Sequence, residues 1–167
     1  MLRCDMKKFI AAVLSAVAAL VLCFGLVACE KGPTLTPEEM AGTYTLLSFK
    51  ADGKEYTSGD TYEGTQFSYS LATVRLNRVE SAMGDLLNAT ITCTIPKHSY
   101  YYVGNWSCGK GQITMKGLVS ESLSDTANQK TVTLTGKVTK GMAGADFIVM
   151  LTVNYNGVVM TLYKDIN

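Results

Sequence analysis

"DFIVMLTVNYNGVVMTLYK", residues 146–164, holds two alternating runs on either side of Asn156-Gly157. Asn-Gly is the strongest short hairpin signal, because both residues tolerate the positive φ that a type I′ turn demands. With these two at the centre of the turn, Tyr155 opposes Val158, Val153 opposes Met160 and Leu151 opposes Leu162. One face then carries Phe147, Val149, Leu151, Val153, Met160 and Leu162, and the other carries Thr152, Asn154 and Thr161. Side chains alternate across a strand, so the apolar set defines the core face and fixes the register.

The same reading extends through the chain. Eight segments rich in Thr, Val, Ile and Tyr are predicted as strands: 42–50, 67–76, 87–95, 100–108, 111–118, 130–138, 146–154 and 157–163. In 88–95, Ala89, Ile91, Cys93 and Ile95 alternate with Thr90, Thr92 and Thr94. A two-residue turn at Gly109-Lys110 would set Trp106 opposite Ile113 and Gly104 opposite Met115. Before the first strand, Thr36-Pro37-Glu38-Glu39 reads as a capping box with Pro at the first helical position, stopped by Gly42. The stretch 77–86 has room for a helical turn. Sequential antiparallel strands with one apolar face each, and no helix to cover a flat sheet, point to closure. The expected fold is all-β: an eight-stranded antiparallel up-and-down barrel, its interior filled by side chains or holding one small ligand. A two-sheet sandwich is the alternative.

Upstream lies a different kind of segment. Phe9 to Ala28 carries no charge and follows Lys7-Lys8, the pattern of a secretory signal. Leu26-Val27-Ala28-Cys29 resembles the lipobox of bacterial lipoproteins. The resemblance implies a signal peptide over 1–28, cleavage after Ala28, and a diacylglyceryl group on Cys29. Residues 29–35 would be a polar tether and 36–167 the barrel domain. Two or more acyl chains anchor a protein stably, so the expected location is the extracytoplasmic face of a bacterial membrane.

Gly42-Thr43-Tyr44, directly after the short capped helix, resembles the Gly-x-Trp opening of lipocalins. "GTYTLLSFKADGKEYT" (42–57), "GNWSCGKGQITMKG" (104–117) and "VVMTLYK" (158–164) are similar to the lipocalin-like domains of small bacterial lipoproteins. The resemblance spans most of 36–163 and implies an up-and-down barrel that binds a small apolar molecule. The face assignment nominates Tyr44, Tyr102, Trp106, Ile113, Met115, Leu151, Val153 and Met160 as its lining. Gly104, which removes a side chain near Trp106, marks where a cavity would open. Core packing is the competing reading of the same residues.

Other chemistry finds little support. The chain has 15 basic and 14 acidic residues, and the presumed signal peptide takes Arg3, Lys7, Lys8 and Asp5 from them. The balance leaves no basic face for nucleic acid. His98 is the only histidine, so a zinc site lacks ligands. No Gly-x-Ser-x-Gly elbow is present, and "GKGQIT" (109–114) lacks phosphate-loop spacing. Asp60 and Glu63 form the nearest carboxylate pair, in a glycine-flanked loop. No catalytic constellation emerges, and the sequence calls for no metal or cofactor. Cys93 and Cys108 fall on inward positions of consecutive strands. An exported compartment favours their pairing, and two small buried hydrophobes is the other reading; a tighter loop would set Cys93 opposite Tyr102 instead. Two functions remain. One is a membrane-tethered module binding a small apolar ligand. The other is a filled barrel that meets an envelope or host protein through loops such as 53–66 and 119–129.

Overall fold

The computed structural model describes residues 35–122, 128–143 and 146–165. The predicted signal peptide, Cys29 and the tether as far as Pro33 and Thr34 lie outside them, as does the side chain of Phe147. The described chain is a short helix α1 (Pro37–Met40) followed by strands β1 (Gly42–Ala51), β2 (Lys54–Tyr56), β3 (Thr61–Tyr62), β4 (Thr65–Gln66), β5 (Ala72–Val79), β6 (Leu86–Cys93), β7 (Tyr100–Gly109), β8 (Gln112–Ser120), β9 (Lys130–Ala143), β10 (Asp146–Tyr155) and β11 (Val158–Asp165). The eight long strands pair antiparallel in chain order, and β11 pairs with β1. The sheet is a closed eight-stranded up-and-down barrel, which removes the sandwich alternative.

Hairpin chemistry sets the registers. Asn156 and Gly157 take φ of 52° and 79°, and the predicted pairs Tyr155–Val158, Val153–Met160 and Leu151–Leu162 all form. The other predicted hairpin is displaced by one residue. Its turn is Lys110-Gly111, with φ of 51° and 73°. Trp106 therefore opposes Met115, and Gly104 opposes Gly117. The glycine belongs at the second turn position, where the backbone is left-handed. The error moves each partner by two residues, so it leaves the faces unchanged.

Two segments differ from expectation. The strand expected from residue 67 begins only at Ala72, because Ser68 caps a 3₁₀ turn over Tyr69–Leu71. The helical turn expected within 77–86 is a hairpin connection. β5 runs through Val79, Ser81 Oγ–H donates to the Gly84 carbonyl at 2.6 Å, and β6 starts at Leu86.

Inward side chains fill the barrel. Leu46, Phe49, Leu76, Ile91, Ile113, Met115, Leu151 and Met160 are all buried to within 2 % of full enclosure. Tyr102 decides the middle. A Cβ on Gly104 would collide with the Tyr102 hydroxyl and the Lys116 carbonyl, and one on Gly117 would meet the same hydroxyl at 2.9 Å. The space expected to open at Gly104 is thus taken by the tyrosine ring reaching over the facing glycines.

One barrel end is stoppered by α1. Thr36 Oγ1 accepts from the Glu39 N–H at 3.2 Å and the Thr36 N–H donates to Glu39 Oε2 at 2.8 Å, completing the predicted capping box. Met40 is buried beneath it. The last carbonyls of a helix lack intrahelical donors; here Tyr44 O–H donates to the Met40 carbonyl at 2.6 Å, and Lys164 Nζ to those of Glu39 and Ala41, each at 2.6 Å.

Gly104→Ala should lower stability to urea by about 1–3 kcal/mol, the usual cost of overpacking. Gly109→Ala, with nothing within 4 Å of the added carbon, should change it by less than about 1 kcal/mol. Equal effects at both positions would contradict the packing at Tyr102.

Candidate functional site

The two ends of the barrel differ. α1, the β5–β6 turn and the Lys110-Gly111 turn lie at the stoppered end, where the chain enters. The opposite end carries the β1–β2 turn, the β3–β4 hairpin, the β6–β7 loop, the end of β8, the start of β9 and the β10–β11 turn.

Half of this second end is roofed by an aromatic group. Phe49 stacks on Tyr56 and Phe67 with centroids 5.0 and 6.1 Å away, and Tyr62 meets Phe49 edge-on at 5.5 Å. Glu63 and Gly64 turn the β3–β4 hairpin at φ of 49° and 77°. The carboxylates that the sequence pairs serve separate ends here. Asp60 Oδ2 accepts from the Thr57 N–H at 2.8 Å, while Glu63 holds Lys97 at 2.7 Å. That contact raises the lysine's pKa.

His98 links three elements. Its Nδ1 lies 2.9 Å from the Asn156 carbonyl, so Nδ1 carries a proton and donates. Its Nε2 lies 3.1 Å from Tyr62 Oη, which is also 3.1 Å from Asp52 Oδ2. The β6–β7 loop, the β10–β11 turn, β3 and the β1–β2 turn are thereby tied together. Burial, then the Asp52 carboxylate, raises the Tyr62 pKa.

Among the described residues, the other half of this end is open. A cavity of about 670 Å³ lies between Lys97 and Ser99 of the β6–β7 loop, Val119 and Glu121 at the end of β8, Lys130 at the start of β9, and Tyr155 and Asn156 at the β10–β11 turn. Its size is that of a small-molecule site. Tyr100 forms part of the wall, packed edge-on against Tyr155 at 4.7 Å. It is 2 % exposed, and its buried hydroxyl has no hydrogen-bond partner in the protein. Burial raises its pKa steeply, so it stays a neutral donor. An unpaired buried hydroxyl costs about 1–3 kcal/mol.

None of the eight side chains nominated as ligand lining borders this cavity. Tyr44, Tyr102, Trp106, Ile113, Met115, Leu151, Val153 and Met160 are packed together in the core, none more than 3 % exposed. Trp106 sits toward the stoppered end, where its Nε1–H donates to the Asn77 carbonyl at 3.1 Å. Their inward orientation is as predicted; their neighbours are one another. The cavity residues stand on three separate connections, which only closure brings together, so no local pattern joins them. Tyr100 and Tyr155, aromatics at the ends of strands next to turns, are the signal that was available.

The proposed Cys93–Cys108 disulfide is not formed: both cysteines are free. Cys93 opposes Tyr100 across a tight loop, and Cys108 stands eight residues further along β7, about 27 Å at the rise of a strand. A disulfide needs Cα atoms within about 7 Å. Burial pushes the Cys93 thiol up to about 11, and its Sγ–H donates to the His98 carbonyl at 3.4 Å. Comparison with known proteins gives no match to a family model, a curated protein or a solved structure.

The unreduced Cys29→Ala precursor, after removal of residues 1–28, should titrate two free thiols once denatured. In the native state Cys93 should react far more slowly than Cys108, which burial protects less. Absence of free thiols in the denatured, unreduced chain would contradict this arrangement.

Proposed function

We propose that this chain is a lipid-anchored lipoprotein of the bacterial envelope, a lipocalin-like barrel that binds a small molecule at its open mouth. The carrying observation is the placement of the cavity. It lies at the end of the barrel opposite the helix through which the chain leaves its tether. An anchor on Cys29 would hold the stoppered end near the membrane and turn the mouth outward. Among the described residues no helix is long and apolar enough to cross a membrane, and on this reading none is required.

The cavity also redefines the ligand. Val119 and the Tyr155 ring offer apolar contact, while Lys97 and Lys130 offer donors at the rim. A small molecule with an apolar body and acceptor oxygens suits this wall better than a purely apolar one.

A second reading, recognition of an envelope or host protein, draws on the outer surface. Val103 and Leu118 are direct cross-strand partners on β7 and β8, 60 % and 43 % exposed. An outward apolar pair on a filled barrel is suited to a protein partner.

Cys29→Ala should accumulate as an uncleaved precursor that takes up no labelled fatty acid. The acylated protein, purified from the cells that make it, should carry a small-molecule mass in native spectrometry. Lys130→Glu should weaken binding of that molecule at least about tenfold, or ~1.4 kcal/mol. Trp106 is about 20 Å from Tyr100 along β7, so its emission should not respond. A ligand-free mass, with Val103→Asp abolishing capture of a protein, would favour the second reading.

A further inference from the structure

The β5–β6 hairpin outruns its neighbours at the stoppered end. β1 pairs with β5 only as far as Leu76, and β7 pairs with β6 only from Asn88. Past those limits Val79 pairs with Leu86, and the turn between them carries Met83. These three side chains are 51 %, 58 % and 101 % exposed. Single exposed apolar residues are ordinary, whereas several gathered on one projecting tip mark an interaction site.

Charge does not dominate the tip. Arg78 holds Asp85 at 2.7 Å and Glu80 at 3.0 Å, so one guanidinium pairs with both carboxylates of the turn and offsets one of their two charges. Arg78 also lies 3.9 Å from Glu38 of α1. The tip therefore stands beside the first element that follows the tether. Leu35 lies six positions beyond Cys29, and a fully extended chain of that length spans about 20 Å. An acyl group on Cys29 would thus hold the helix, and the hairpin next to it, within that distance of the membrane surface.

We propose that Val79, Met83 and Leu86 enter the interfacial layer of the bilayer that holds Cys29, giving the barrel a second contact with the membrane. The inference rests on the lipoprotein reading above. The hairpin and the anchor are two points of attachment at the same end, and together they keep the barrel upright with its mouth toward the solvent. Since the tip carries no excess positive charge and has an apolar apex, the contact depends on apolar burial and needs no anionic lipid.

The test places a nitroxide at Met83→Cys in the acylated full-length product, purified from membranes and reconstituted in phosphatidylcholine vesicles. Cys108→Ser removes the competing half-buried thiol. Acylation is checked by mass and vesicle association by flotation. The nitroxide at 83 should collide more with oxygen than with a water-soluble nickel chelate. A nitroxide at Asn154→Cys, exposed near the mouth, should show the reverse. Adding Leu86→Asp should return position 83 to the water-accessible pattern. A chain that carries no acyl group overturns the lipoprotein reading and this inference with it. An acylated, vesicle-bound chain whose position 83 remains in water overturns the docking alone. So does a short nitroxide–nitroxide distance between copies, which would assign the tip to self-association.

Discussion

The seam between β1 and β11 is the contact on which the rest depends. An open sheet of these strands would leave two edges of unpaired N–H and C=O groups, a template for aggregation. Closure removes both. The seam runs from Thr45–Tyr163 to Lys50–Val159 and carries one irregularity: Leu46 faces Leu162 and Ser48 faces Thr161, so Leu47 is an extra residue. A bulge of this kind changes which side chains point inward. Before it Tyr44 and Leu46 are buried; after it Phe49 and Ala51 are. The bulge delivers Phe49 to the aromatic roof while Tyr44 stays beneath the helix. One inserted residue lets a single strand serve both ends of the barrel.

The stoppered end is held by polar contacts made within an apolar plug. Lys164, arriving on the last strand, reaches the carbonyls of Glu39 and Ala41, and its aliphatic stem lies across Gly42. A side chain on Gly42 would collide with that stem, and its φ of 143° also favours glycine. Burial lowers the Lys164 pKa, against the opposing pull of Glu39. Glu39 is itself held below the ordinary carboxylate range, first by the Thr36 N–H and then by Lys140. First and last elements of the barrel thus meet at one polar node. The mouth is built in another manner, from turns that touch through His98, Tyr62 and Glu63, with strand ends left apart between them.

Much of this was legible from short-range pattern. The Asn156-Gly157 hairpin fixed its own register, because the turn demands two left-handed residues and the sequence offers two that accept them. At Gly109-Lys110-Gly111 the sequence offers two glycines for one such position, and only the backbone shows that Lys110 and Gly111 form the turn. The inward set survived because a shift of two preserves parity. What escaped was long-range. Nothing near Gly104 announces that Tyr102 will cover it, since the ring follows the strand and meets Gly117 on the next one. Cys93 and Cys108 share a face, but their distance depends on the length of the loop between their strands, which the alternation does not define. Pro96 with Lys97, at φ of 64°, makes that loop tight and sends the cysteines to opposite ends. His98 meets Tyr62 and Asn156 across 36 and 58 residues, beyond the reach of any local pattern.

Why the mouth and not the interior should carry recognition follows from the geometry of closure. Eight strands enclose a volume that ordinary core side chains fill, and here Tyr102, Trp106, Phe49, Met115 and Met160 fill it. Opening a ligand cavity among them would mean truncating large buried residues, each at about 2–5 kcal/mol, a large fraction of the 5–15 kcal/mol that a domain has in total. The turns face no such limit. Lys97 and Lys130 are exposed on a turn and at a strand end, so their side chains can change with little effect on the barrel. The unpaired Tyr100 hydroxyl sits at the boundary between these regimes. Its ring packs edge-on against Tyr155 at the cavity wall, while its polar atom stays buried.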